Sequence, residues 1–456
     1  MAGPRNNRSI DLPEALAAFF SPRLASAAEN PAPSFRLCVA LSGGRDSVAL
    51  LHALAMLRER ESCLVLSAIH VHHGLSPRAE QWVAFCEQLC ASLDIPLTIV
   101  RAQVDSSSGE GLEGAARQAR YAAFADCDVD YLALAHHRDD QAETLLLNLC
   151  RGAGVDGLAC MPAERSLGPG QPTLLRPLLD LPRASIAAYL DANSLQWVED
   201  ESNDDVRLRR NFMRHEILPR LATVFPDVPA ALARAAVHLQ QASELANEIA
   251  AQDRARVVSA NGRVMLPHFH ALPPARQANL LRRELAATGV RMPDRRRLKE
   301  ILRQLAEARG DAQPCLCVDG VALHMYRGEL HLVPSVSAFP AALRWRGEAV
   351  LPWGTGEVRF EATVGRGVRR TRIDTGVATL RLRAGGERFQ CAAATPRRAL
   401  KKILSEAGLP PWERERLPLL YCDDVLVWVG GIGIDAGWQA APGESGLLPV
   451  WVPTAG

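Results

Sequence analysis

The clearest pattern in the chain begins at Phe35. An apolar run to Leu41 reads as a buried strand, and apolar positions then recur at helical spacing over Ser47–Arg60. The alternation continues. Leu64–Val71, Leu97–Val104 and Tyr131–Ala135 read as strands, while Ala79–Leu93, Glu113–Ala125 and Asp140–Cys150 read as helices. Strand–helix alternation of this kind predicts an α/β domain on a doubly wound parallel sheet, with helices on both faces. Ligands of such sheets bind beyond the carboxyl ends of the strands.

The pattern then changes. Residues 161–182 carry many Pro and Gly and read as a long loop; Val228–Gln252 is an Ala-rich helix and Pro274–Ala308 another helical stretch. Short β-like runs fill 310–365, and a small α/β segment closes the chain over 379–452. Four parts are expected. They are an N-terminal extension (1–34) read as a surface helix, a sheet domain (35–225), a mainly helical middle domain (226–345) and a small α/β C-terminal domain (346–456).

Composition narrows the class. Hydrophobic content of 48% and charged content of 23% are those of a soluble globular protein. No run is long and apolar enough to span a bilayer, and the first twenty residues show no signal-peptide cleavage site, so a cytoplasmic protein with no membrane partner is expected. The eleven cysteines form no Cys-x-x-Cys and read as reduced thiols, with Cys86 and Cys90 on one helix face. Net charge is only +1, but basic residues cluster. Arg207–Arg220 holds five arginines against Glu216, Arg366–Arg372 holds four with no acid, and Arg381–Lys402 holds seven basic residues against Glu387. Arg207, Arg210 and Arg214, at 3- and 4-residue spacing, read either as a solvated face or as a stripe for a phosphate backbone. Three separated patches favour an extended polyanion over a small substrate.

The candidate chemistry sits in LCVALSGGRDSVALL, Leu37–Leu51. Ser42-Gly43-Gly44-Arg45-Asp46-Ser47 lies between a strand and a helix start. Glycines let backbone amides approach an anion, and the helix N-terminus adds free N–H groups and a positive dipole end. The Walker lysine and the Gly-x-Gly-x-x-Gly fingerprint are both absent. A carboxylate at Asp46 repels phosphates unless a cation lies between, and Mg²⁺ is the natural candidate.

This hexapeptide resembles the signature loop of the PP-loop, or N-type ATP pyrophosphatase, family. That resemblance implies an adenine nucleotide alpha hydrolase-like fold, with ATP held by Ser42–Ser47 and its β,γ phosphates released as pyrophosphate. Within the superfamily, HVHHGLS (His70–Ser76), EGAARQARYAAF (Glu113–Phe124), AHHRDDQAETLLLNLCRGAG (Ala135–Gly154), RPLLDLPRASIAAYL (Arg176–Leu190) and WVEDESNDDVRLRRNFMRHEILPRL (Trp197–Leu221) resemble tRNA(Ile)-lysidine synthetases in order and spacing. So do RAGGERF (Arg383–Phe389) and LKKILSEAGLPPWERERLPLL (Leu400–Leu420). No motif can be quoted over 226–378.

The resemblance implies a ligase. It adenylates the wobble cytidine of a CAU-anticodon isoleucine tRNA with ATP, then joins free lysine to carbon 2, with dimers in some members. Asp46, His137, Asp140 and Glu143 are the candidate catalytic residues, with Asp46 also a Mg²⁺ ligand. Asp140 and Glu143 read either as helix N-terminal acids favoured by the dipole or as a site for the lysine amine or a metal. Asp140 is also the candidate for stripping a proton from that amine. His137 would contact the nucleotide or carry a proton. Arg117 reads as a surface residue or a ligand of ATP or tRNA phosphate. Arg151 sits in a loop beside substrate or a Gly-rich helix exit, and with Arg207, Arg210, Arg214, Arg397, Arg398, Lys401 and Lys402 makes up the candidate tRNA contacts. His70, His72 and His73 read as a pocket lining, not a metal site. The rival is a PP-loop tRNA thiolase, which needs a reactive cysteine or a Cys-held cluster.

Overall fold

A computed structural model describes residues 11–28, 34–74, 76–102, 111–307, 316–334, 339–340, 342–354 and 356–453. The expected ends of the third strand at Val104 and of the second middle-domain helix at Ala308 lie outside them. The chain divides into two compact units, Met1–Ala246 and Asn247–Gly456.

The first unit is built on a six-stranded sheet. Its elements in chain order are α1 (Leu12–Ala28), β1 (Phe35–Ala40), α2 (Arg45–Arg58), β2 (Leu64–His72), α3 (Ala79–Ser92), β3 (Leu97–Arg101), α4 (Gly111–Ala125), β4 (Tyr131–Ala133), α5 (Arg138–Cys150), α6 (Val155–Leu158), β5 (Glu164–Ser166), β6 (Thr173–Leu175) and α7 (Arg183–Ala192). The strand order is β3-β2-β1-β4-β6-β5, parallel except for the antiparallel edge strand β5. The chain steps outward from β1 through β2 to β3, then returns to lay β4 on the other side of β1. That reversal is a topological switch point, where adjacent strand ends diverge and leave a crevice. The segments leaving β1 and β4 flank it.

β1 is central because its side chains are apolar on both faces: Leu37 and Val39 are fully buried on one side and Cys38 nearly so on the other. The N-terminal extension supplies α1, which turns Glu14, Ala17, Ala18 and Ser21 to solvent and a buried stripe to the domain. Leu12, Leu16, Phe20 and Leu24 recur at helical spacing, are buried, and pack into the same core as Phe35, Leu37 and Leu54. The loop expected over 161–182 also contains β5 and β6. After α7, the short helix α8 (Arg209–Phe212) runs through a π turn (Met213–Ile217) into α9 (Leu218–Ala222), and α10 (Val228–Val257) follows. The division between units falls within α10.

In the second unit, helices Pro274–Ala287 and Arg295–Glu307 share a core with a four-stranded antiparallel sheet, through Leu280, Leu281, Ile301, Leu323 and Leu330. The C-terminal part holds a five-stranded and a four-stranded sheet joined by Trp353, Val358, Leu380, Leu420 and Leu447. Its longest ladder pairs Gly356–Val364 with Ser445–Pro453. No helix of the described residues is long and apolar enough to cross a membrane.

Candidate active site

The loop after β1 holds its own shape. Ser47 Oγ donates to the Gly44 carbonyl at 2.8 Å and accepts the Ser42 amide at 3.2 Å, while Ser42 Oγ accepts the Gly44 amide at 3.2 Å. Gly43 lies at φ +82°, and a Cβ there would sit 2.9 Å from Val198 Cγ2 and 3.2 Å from Cys86 Sγ. Conformation and space both demand glycine at this position. Gly44 is the N-cap of α2, and no side chain caps that helix, so its first amides are available to an anion. Cys86 packs behind the loop; burial pushes its thiol up to about 12, which keeps it protonated and unreactive.

Across the crevice, β4 delivers His136 and His137. The His137 side chain is 1% exposed, with Nε2 3.7 Å from Asp46 Oδ2 and 3.6 Å from Asp140 Oδ2, and Nδ1 3.8 Å from Asp139 Oδ2. Its Nδ1 has no hydrogen-bond partner among the described residues. Burial alone would lower its pKa, but Asp46, Asp140 and Asp139 outweigh burial and hold it above the ordinary value. Burial likewise pushes the Asp46 carboxyl up, yet His137 and Arg45 leave it below the usual carboxylate range.

Asp140 and Glu143 already have occupants. Asp140 Oδ2 accepts the His137 backbone amide at 2.9 Å, capping α5, and Oδ1 accepts Arg210 Nη2 at 2.7 Å and Arg214 Nη2 at 3.3 Å. Glu143 accepts Arg210 Nε at 2.8 Å and Arg214 Nε at 2.6 Å. Two expectations change. Arg210 and Arg214 face inward to these carboxylates, and Arg207 precedes α8 and pairs with Asp205 at 2.8 Å, so the three do not form one stripe for phosphate. Asp140 is also a poor base. Burial raises its pKa, but His137 and Arg210 bring it down to about 2.

A third wall was not foreseen. Arg176, directly after β6, is 2% exposed; Nη1 donates to the Pro162 carbonyl at 2.7 Å and Nε has no partner among the described residues. His136 is pushed down to about 3, chiefly by burial, with Arg176 and Arg210 adding to the effect, so it is neutral. Arg117 is exposed; its guanidinium lies 4.9 Å from the Tyr121 ring centre and donates to Tyr121 Oη at 3.2 Å. The sequence signal for Arg176 was weak: a cation closing the short apolar run Thr173–Leu175, inside a stretch dominated by Pro and Gly.

Comparison with known proteins agrees with this geometry. The PP-loop domain family matches residues 17–221, the TilS substrate binding domain 265–331 and the TilS substrate C-terminal domain 378–451. The tRNA(Ile)-lysidine synthase of Nitrosomonas europaea is 45% identical over 92% of this chain and 93% of its own length. That of Azoarcus sp. is 44% identical over 96% of both chains, and that of Ralstonia nicotianae 42% over 92% and 93%. The chain belongs to the tRNA(Ile)-lysidine synthase family. It is an enzyme with a PP-loop, ATP-utilising domain, and tRNA(Ile) is the substrate that the family's substrate-binding domains support.

Membership in the lysidine synthase family does not make every basic residue a tRNA contact. In the second unit, Arg397 pairs at 2.9 Å with Asp435, which is fully buried, and Arg398 pairs with Glu406. Arg369 and Arg370 pair with Glu444 and Asp374, so two of the four arginines over 366–372 are neutralised. Lys401 and Lys402 are exposed. His70 is buried, its Nδ1 2.8 Å from the Leu41 carbonyl, and no group of three or more His, Cys, Asp or Glu among the described residues is arranged to hold a metal.

Proposed function

We propose that this chain ligates free L-lysine to carbon 2 of the wobble cytidine of a CAU-anticodon isoleucine tRNA, using ATP through an adenylated cytidine. The modified base reads AUA instead of AUG, and the tRNA accepts isoleucine instead of methionine. The observation that carries this reading is the meeting of the Ser42–Ser47 loop with buried His137 and its carboxylates at the sheet's switch point.

In this reading, the Ser42–Ser47 amides and hydroxyls hold the β,γ phosphates. Cytidine O2 bonds to the α phosphorus as the bond to pyrophosphate breaks. The Arg117 and Arg176 guanidiniums neutralise the charge that develops. The lysine amine then bonds to carbon 2 as the C2–O bond breaks and AMP leaves. Lysine must attack as the neutral amine. His137 is better suited than Asp140 to take that proton, because imidazole is the more basic group and its Nδ1 has no hydrogen-bond partner among the described residues. Asp140 and Glu143 act by fixing Arg210 and Arg214. Asp139, whose side chain keeps 27% exposure and whose Oδ2 accepts the Arg183 amide at 3.0 Å, is the carboxylate left to meet the lysine ammonium.

Mg²⁺ fits the donor chemistry at one point. An ionised Asp46 beside the phosphate loop supplies a hard oxygen ligand, and the ion would neutralise the leaving pyrophosphate. The substrates of this reading, tRNA, ATP and lysine, are those of a cytosolic reaction. Sulfur delivery is disfavoured by the buried, protonated state of Cys86, the cysteine behind the loop.

The test is pyrophosphate release from ATP, with and without an unmodified CAU-anticodon transcript. Release that requires both tRNA and an intact Asp46 is expected. A protein that only binds tRNA releases none.

A further inference from the structure

A cavity beside the chemistry just described lies in the first unit. It has a volume of about 330 Å³ and opens between the end of α5 and the start of α8. Its apolar lining is Leu147, Val206, Phe212 and Met213, and Arg151, Arg207 and Arg209 rim it with no acid among the lining residues. Phe212 is 42% exposed and Val206 45%, so large apolar groups of the cavity wall are in contact with solvent. Neither Arg151 nor Arg209 is paired with a carboxylate among the described residues. Arg207 is held by its neighbour Asp205.

We infer that this cavity is a binding site for an unstacked base of the anticodon loop, next to the reacting cytidine. The inference rests on the tRNA reading above. A nucleotide joins a flat apolar face to an anionic phosphate, and the cavity offers an exposed aromatic ring beside unpaired guanidiniums. Single-stranded RNA is read by this combination. The volume lies within the range of small-ligand pockets. Position excludes the reacting base itself. Leu147 is seven residues beyond Asp140 on α5 and Arg151 eleven beyond, which is about 10 to 16 Å at 1.5 Å per residue. α5 therefore carries Asp140 and Glu143 and, further along, one wall of this cavity, while the segment 206–214 gives Arg210 and Arg214 to those carboxylates and Arg209 and Phe212 to the cavity, so a base docked here fixes the register of its neighbour over the site.

The test uses the full chain and a CAU-anticodon isoleucine tRNA transcript. Phe212→Ala is expected to raise the tRNA KM roughly fivefold to a hundredfold, the range that base–aromatic stacking supplies, with the KM values for ATP and lysine unchanged. Phe212→Trp restores it. Transcripts abasic at each loop position in turn then identify the base: at one position flanking the wobble cytidine, the abasic transcript and Phe212→Ala are not additive. Additive effects at every position overturn the proposal. So does an unchanged tRNA KM with altered self-association of the free chain, or with loss of binding to an acidic peptide, either of which makes the patch a protein-docking face. Failure of the wild-type chain to modify the transcript would refute the tRNA reading, and is scored separately from the Phe212 comparison.

Discussion

The two oxygens of Asp140 are divided between unlike partners, the His137 amide on one side and two guanidiniums on the other. Because the side chain is only 10% exposed, its charge is stable only while those partners stay in place. The carboxyl is lowered from 3.8 to about 2 in the folded chain. A depressed folded pKa contributes stability above the unfolded value and loses it as pH falls through the folded one. Asp140→Asn should therefore be less stable than the wild type at pH 7 by on the order of 2 kcal/mol through the lost carboxylate charge. The gap should shrink to about half at pH 3, as read from urea midpoints. An equal gap at both pH values would mean that the pairing is not ionic. At this scale the sequence was legible where function is contiguous: Ser42–Ser47 and the His137–Glu143 cluster can be read directly. It was not legible where partners are distant. Nothing near Arg210 announces that its carboxylates lie 67 and 70 residues away, so spacing alone gave it the wrong partner.

Elements meet the site through the sheet, and α1 shows how far that support reaches. Phe20 is fully buried, its ring edge-on to Phe35 at the start of β1 with centroids 6.0 Å apart. β1 in turn ends at the phosphate loop. Phe20→Ala should cost about 3–5 kcal/mol, the usual loss for a fully buried aromatic, measured by urea denaturation of the full chain. A loss below about 1 kcal/mol would show that α1 is peripheral. The sequence disguised this helix. Leu12, Leu16, Phe20 and Leu24 have the spacing of a core stripe, but Pro22 and the half-buried Phe19 beside the stripe weaken the contrast between faces. β5 and β6 were missed for a related reason. Each has three residues, too few for alternation to show, and both sit among Pro and Gly. β1 and β2 were legible because a buried parallel strand has a long apolar run that loops do not imitate, whereas β3, with no buried residue, and the three-residue β4 were legible from the helical patterns on either side of them.

Across the whole molecule, a net charge of +1 hides a polyanion-binding enzyme, because many basic residues are matched internally. Basic clusters in a sequence are thus a poor count of phosphate contacts: Arg397 anchors the buried Asp435, whereas Arg151 and Arg209 remain open beside a cavity. The parallel-sheet domain was readable from its pattern, but the paired sheets of the C-terminal part were not, since the ladder joining Gly356–Val364 to Ser445–Pro453 closes across 81 residues of chain at its nearest pair, Val364 with Ser445. The central claim concerns the whole chain, two units and three family domains acting on one tRNA. Its most direct test is ATP-dependent incorporation of labelled lysine into an unmodified CAU-anticodon isoleucine tRNA transcript, with Asp46→Ala alongside. The account predicts incorporation that needs ATP and is lost in the variant. Pyrophosphate release on adding tRNA without any lysine incorporated would contradict it, leaving adenylation in place and giving the second step to another nucleophile.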